Sequence, residues 1–215
     1  MIKKILMFSG GIDSTAALYK LLTADEEMVV AHHINFINIE NRDKVERQAC
    51  YDIIHYLLSK VRFFEFNEST FEFPLKVHIG WDIIHAMYIG GIVAKNYATD
   101  TVQVELSIAD TKDDFGSYQW KSPVAQMIAM LAALEKPTKP RQHLPIITQP
   151  VVMFTKAELI DSIPKELFDL TWSCRKPIIT EADREITFEY CGKCVTCEDL
   201  KKIGKYEKKT RVVKK

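Results

Sequence analysis

The chain has 215 residues, 47% of them hydrophobic and 27% charged, so it can bury a full core and belongs neither to disordered nor to fibrous proteins. Its 29 basic and 29 acidic side chains cancel, which leaves no bulk electrostatic case for a nucleic-acid partner. The longest apolar run, Pro123 to Leu134, is interrupted by Gln126 and is too short to span a bilayer, and no secretory leader precedes Ser9, so a soluble cytoplasmic protein with no membrane partner is expected.

Lys3–Phe8 is a short apolar run that stops at Ser9-Gly10-Gly11, which predicts a buried strand. Thr15–Leu22 has helical spacing, and Met28–Phe36 reads as a second strand. From Arg42 to Lys60, Val45, Ala49, Ile53, Tyr56 and Leu57 recur at helical spacing opposite Arg42, Asp43, Lys44, Glu46 and Arg47. Cys50, inside that helix, reads as a small core residue. Val61–Phe66 predicts a third strand. Trp81–Tyr97 predicts a helix in which Gly90-Gly91 marks close packing or a kink. Thr101–Ile108 alternates as a strand, and Ser122-Pro123 opens a nearly all-apolar helix to Leu134. The proline-rich loop Pro137–Pro145 leads to a short strand at Ile146-Ile147, and Thr155-Lys156-Ala157-Glu158 is a capping box that starts another helix.

Strands alternating with helices imply βαβ units, hence an α/β fold with a doubly wound, mostly parallel sheet. Residues 1–170 would form it, 171–200 a cysteine-bearing appendage and 201–215 a basic tail. That tail sets eight Lys or Arg against Glu207 alone, while the rest of the chain carries 21 basic and 28 acidic residues. It reads first as a solvated, frayed terminus and only second as an RNA-binding arm.

Ser9-Gly10-Gly11-Ile12-Asp13-Ser14-Thr15 joins the first strand to the first helix. In an open parallel sheet, ligands bind at such turns. Adjacent glycines let the backbone fold tightly with its N–H groups pointing inward, and the helix N-terminus adds positive potential. The hydroxyls of Ser9, Ser14 and Thr15 supply further donors, so the turn is a cradle for phosphate or pyrophosphate. It lacks the Gly-Lys-Ser/Thr ending of a Walker loop and the G-x-G-x-x-G dinucleotide fingerprint. Asp13 would repel phosphates unless it braces the loop or helps hold a cation such as Mg²⁺.

Ser-Gly-Gly-x-Asp-Ser near the N-terminus resembles the PP-loop of the ATP pyrophosphatases. The resemblance implies that ATP binds along Phe8, Ser9, Gly10, Gly11, Ile12, Asp13, Ser14 and Thr15, and that Ser9, Asp13 and Ser14 serve catalysis. It implies cleavage of ATP between its α and β phosphates, AMP transfer to a substrate oxygen, and release of pyrophosphate.

Five cysteines occur, and Cys174, Cys191, Cys194 and Cys197 fall in a C-x16-C-x2-C-x2-C pattern. Four thiolates match a closed tetrahedral zinc site of structural kind, with Gly192 easing the knuckle turn and Lys193 offsetting thiolate charge. An iron–sulfur cluster also takes four cysteines, and spacing leaves both readings open.

Leu144-Pro145-Ile146-Ile147-Thr148, Thr155-Lys156-Ala157-Glu158, Thr171-Trp172-Ser173-Cys174 and Cys191-Gly192-Lys193-Cys194-x-Thr196-Cys197 occur in order. The series resembles the C-terminal half of the 7-cyano-7-deazaguanine synthase family, within the PP-loop superfamily. The resemblance covers residues 1–20 and 144–200. It implies an ATP-dependent C–N ligase that adenylates 7-carboxy-7-deazaguanine, forms the amide with ammonia and then the nitrile, in queuosine biosynthesis, and it allows a homodimer. The chain departs from that family at residues 31–38, at Gly80-Trp81-Asp82 and from Asp110 to Trp120, where substrate would bind. Other acceptors therefore stay open: an amide-only deazapurine product, a tRNA or a protein.

Within the divergent loop, Asp110, Asp113, Asp114, Phe115, Tyr118 and Trp120 read either as Mg²⁺ and purine contacts or as a polar loop with tucked aromatics. We single out Asp110, Asp114, Tyr118 and Trp120 as the substrate set. His32 and His33 point to opposite sheet faces, with His33 placed near adenine or, alternatively, satisfied in the core. Lys156 either reaches phosphate or stays solvated, and Trp172 is expected to pack the appendage against the sheet.

Overall fold

In a computed structural model that describes residues 1–73, 82–117, 121–134 and 144–215, the first apolar run forms β1 (Ile2–Met7) at the centre of a five-stranded parallel sheet. Its neighbours are β2 (Met28–Ile37) and β4 (Gln103–Ser107); β3 (Glu65–Glu72) and β5 (Ile146–Thr148) lie at the edges, giving the order β3-β2-β1-β4-β5. Strand side chains alternate, so consecutive residues enter different cores. Leu6, Val29 and Ala31 pack with α1 (Ile12–Ala24) and α2 (Asp43–Lys60), whereas Ile5 and Val30 pack with α3 (Asp82–Tyr97) and α5 (Lys121–Leu134). The short helix α4 (Lys112–Ser117) follows β4. Helices on both faces explain why Ile5-Leu6-Met7 of β1 and Met28-Val29-Val30-Ala31 of β2 are unbroken apolar runs. The sheet order grows in opposite directions from β1, which puts a switch point beside it.

The third strand lies further along the chain than the apolar run Val61–Phe66 predicts. Phe64 is buried ahead of it, and the strand itself is mostly polar. Its side chains find partners elsewhere: Glu65 on Lys3, Asn67 on Tyr97, and Glu68 on Arg47 and Tyr51. Gly90 and Gly91 mark close packing. A Cβ on Gly91 would overlap the Ala129 carbonyl of α5, and one on Gly90 would lie 2.9 Å from Met7 Sδ.

The capping box forms as read. Thr155 accepts from the Glu158 amide and Glu158 accepts from the Thr155 amide, opening α6 (Lys156–Asp161), with α7 (Lys165–Leu170) after it. Beyond Leu170 comes a small antiparallel sheet of β6 (Ile178–Glu181), β7 (Glu185–Glu189) and β8 (Thr210–Lys214), with α8 (Val195–Lys202) inserted. It shares a core with the main layer: Trp172, Cys174, Phe188, Cys194, Cys197 and Leu200 are buried in the same cluster as Leu18 and Ile53.

Residues 201–215 do not form the frayed basic tail expected. β8 pairs along β7, and Lys209 donates to the Phe168 carbonyl at 2.6 Å and to the Thr171 carbonyl and hydroxyl. Arg211 donates to the Leu170 carbonyl and pairs with Asp52 of α2. These cations satisfy carbonyls that α7 leaves open at its end. Lys201, Lys202, Lys205, Lys208 and Lys215 pair with Glu198, Asp199, Asp161, Glu189 and Glu181. The basic run is thus the counter-charge of the acidic body. Among the described residues, no helix is long and apolar enough to cross a membrane.

Candidate active site

The turn between β1 and α1 is held from below, from one side and from within. Gly10 has φ +71°, and a Cβ there would fall 2.9 Å from Cys50 Sγ and 3.2 Å from its amide nitrogen. Only glycine fits both the conformation and the approach. Under the turn, His33 Nδ1 lies 3.0 Å from the Phe8 carbonyl and 3.3 Å from Cys50 Sγ. His33 is buried, and burial lowers its pKa, so the neutral ring donating from Nδ1 to Phe8 fits the geometry. Cys50 is buried as a core residue, as its place in the helix suggested. His32, on the opposite face, pairs with Ser69 at 3.0 Å.

Inside the turn, Ser14 Oγ accepts from the Ser9 amide at 3.2 Å and lies 3.0 Å from Ser9 Oγ, and the Gly11 amide points at Ser9 Oγ. Gly11 is the N-cap of α1 in extended conformation. The amides of Asp13 and Ser14 open the helix and have no acceptor within it, which is the donor array an anion needs. Ser9 is exposed, whereas Thr15 is fully buried and its hydroxyl has no hydrogen-bond partner among the described residues.

One wall is Lys156. Its ammonium lies 3.1 Å from Asp13, with its amide on Asp113 at 2.8 Å. Burial would lower the Lys156 pKa, but Asp13 and Asp114 outweigh it and the net direction is up. Burial, with Asp114 and Asp113 behind it, pushes Asp13 up against the pull of Lys156. Asp13 Oδ1 is buried without a partner. Asp114 accepts from the Thr111 hydroxyl at 2.7 Å, and Asp110 from Gln149 at 3.1 Å. The structure therefore brings Asp13, Asp113, Asp114 and Lys156 together after β1, β4 and β5. Tyr118 and Trp120 lie outside the described residues, as do Gly80, Trp81 and the Phe115 side chain.

The other wall is Thr171-Trp172-Ser173. The Trp172 amide donates to the Gly10 carbonyl at 2.9 Å, and the Ile12 amide donates to Ser173 Oγ at 3.1 Å. Trp172 is buried and meets Tyr190 edge-on, ring centroids 4.7 Å apart. Near this wall, Arg42 is ringed by Glu40, Glu46 and Asp82, and Arg175 approaches Asp82 at 3.8 Å. Sequence patterns missed this ion network, since its members come from three separate segments. They also missed Ser173 as a loop contact, although the motif holding it was visible.

The sulfur atoms of Cys174, Cys191, Cys194 and Cys197 all lie within 4.8 Å of one another. Three separations are 3.6, 3.9 and 3.5 Å, for Cys174–Cys191, Cys194–Cys174 and Cys194–Cys197. Backbone amides point at these sulfurs: Cys191 to Cys174 at 3.3 Å, and Lys193 and Cys194 to Cys191 at 3.3 and 3.2 Å. Such donors stabilise thiolates, and the set suits a metal ion. Gly192 takes φ +68° at the knuckle.

No protein-family model matches the chain, and no curated protein does. Among solved structures, the U34-tRNA thiolase NcsA from Methanococcus maripaludis with its [4Fe-4S] cluster is similar, at 17% identity and a TM-score of 0.51. The similarity covers 80% of this chain and 59% of that one, so the chain spans about six-tenths of that protein's length. The chain shares a doubly wound α/β fold with that protein and carries a C-terminal four-cysteine cluster fit for a metal.

Proposed function

We propose that the protein is an ATP-dependent adenylating enzyme whose acceptor is the carboxylate of a deazapurine acid, 7-carboxy-7-deazaguanine, with ammonia as nitrogen donor. The observation that carries this reading is the open amide array at the head of α1, where Lys156 pairs with Asp13 and takes the place of a Walker lysine. Such a cradle suits a departing pyrophosphate. An acceptor oxygen attacks the α-phosphorus, the bond from phosphorus to the β-bridging oxygen breaks, and pyrophosphate leaves with the electron pair. Ammonia then adds to the acyl carbon and AMP departs, giving the amide. A second adenylation of the amide oxygen, followed by loss of AMP and the nitrogen's protons, gives the nitrile.

The roles fall to the residues described. The Ser9 hydroxyl and the Asp13 and Ser14 amides would hold pyrophosphate, and Lys156 would balance its charge. Asp13, with its unpartnered buried oxygen, fits Mg²⁺ together with Asp113 or Asp114, and the ion when bound would neutralise the phosphates. For the four cysteines we favour zinc. Bonds of about 2.3 Å in a tetrahedron place sulfurs about 3.8 Å apart, close to the separations seen, whereas in a cluster each thiolate binds a different iron and the sulfurs spread wider. All four ligands come from the chain, so the site is closed and structural.

A second reading, modification of tRNA by the same adenylation, draws support from the thiolase that the chain resembles in fold. The pairing of the C-terminal lysines with acidic residues weighs against it. Pyrophosphate release with ATP, Mg²⁺ and ammonia separates them. The first reading expects release to depend on the deazapurine acid, with the amide or nitrile found by mass spectrometry. Release that depends only on tRNA would replace it with the second. Metal analysis should return zinc, and an iron content with a broad visible absorption would overturn that assignment.

A further inference from the structure

We infer that Ser173, from the cysteine-bearing appendage, is a pyrophosphate ligand, so that the phosphate cradle is built from two distant segments instead of one loop. The inference rests on the reading that the first turn holds pyrophosphate.

Ser173 Oγ accepts from the Ile12 amide at 3.1 Å, which places it at the first residue of α1, inside the donor array. A Cβ on Gly11 would lie 3.4 Å from both Ser173 Oγ and Ser9 Oγ, so the two hydroxyls flank the same glycine. A hydroxyl has one hydrogen to give. Among the described residues, nothing accepts the hydrogen of Ser173, and Ser173 and Gly11 are both partly open to solvent. An anion above Gly11 would take that hydrogen while the Ile12 amide orients the oxygen. The hydroxyl thus relays the first helical amide, where a phosphate oxygen would otherwise compete for it.

The position of Ser173 is fixed from behind. Its amide donates to Tyr190 Oη at 2.9 Å, and the next residue, Cys174, is a member of the thiolate cluster. Tyr190 likewise precedes Cys191 of that cluster. Whatever binds the cysteines therefore holds Ser173 and Tyr190 in register, and Trp172 ties the same segment to the Gly10 carbonyl.

Calorimetric titration of inorganic pyrophosphate into the metal-loaded 215-residue chain tests this, with AMP as the control ligand and metal content measured on each sample. Loss of a hydrogen bond to a charged group predicts about tenfold or greater weakening for Ser173→Ala, with AMP affinity and metal content unchanged. Wild-type pyrophosphate affinity in Ser173→Ala overturns the inference. In the unaltered protein, pyrophosphate should slow hydrogen exchange in peptides covering 171–174 as well as 9–15. Slowing confined to 9–15 also overturns it. No pyrophosphate binding by the unaltered protein defeats the reading of the turn itself, a distinct result.

Discussion

The Lys156 ammonium is largely buried beside carboxylates that raise its pKa. It stays charged across the neutral range and can face an anion without first being protonated. Replacing it with methionine keeps the stem and removes the charge. Pyrophosphate and ATP should then bind more than about tenfold more weakly, measured by calorimetry. Asp13 should take up a proton more readily, since Lys156 is what pulls it down. Glu46 makes a second case. Burial pushes it up to about 7, although Arg42 pulls the other way. An acid whose pKa is higher folded than unfolded binds the extra proton in the folded state, so its contribution is full below the unfolded value and lost as pH rises toward 7. The protein should therefore lose stability from this group as pH rises from about 4.5 to 7. In Glu46→Gln that component of the slope disappears, which denaturant melts across the same pH range would show.

Among the elements, the pair α3 and α5 depends on a backbone approach that sequence pattern could only half express. The doublet Gly90-Gly91 read as packing or a kink, and the partner that decides it, the Ala129 carbonyl, lies in another helix. Gly91→Ala should lower stability by about 1–3 kcal/mol through overpacking, seen as a lower melting temperature with the fold retained. The strands β1, β2 and β4 and the helix α2 were legible because their apolar periodicity reports their own burial. Strand β3 was displaced in the reading since its strength lies in cross-strand polar partners from β1, α2 and α3. The strands β6 to β8 were not legible at all. Their run Ile178–Glu181 is exposed throughout and gains its order from pairing with β7. The glycine turn and the four cysteines stood out because local backbone chemistry and spacing define them, while Ser173 joined the turn only through a contact spanning 161 residues.

Taken whole, the molecule is a parallel sheet whose switch point is closed by its own C-terminal segment. The Trp172, Cys174, Cys194 and Cys197 side chains sit in the core shared with α1 and α2, so the four-cysteine cluster and the glycine turn are packed as one unit. Removing the metal with a chelator should expose residues 171–215 to limited proteolysis and abolish pyrophosphate binding. The far-UV signal of the five-stranded sheet and its helices should largely persist. The paired lysines of the last fifteen residues add that this segment offsets acidic charge on the face it covers. The crowding of the sulfurs has a further chemical consequence. Once stripped in air, neighbours such as Cys194 and Cys197, already 3.5 Å apart, would join covalently and refuse the ion on its return. Reconstitution would then succeed only in the presence of a thiol reductant, and the protein's shelf life would be set by dissolved oxygen before heat.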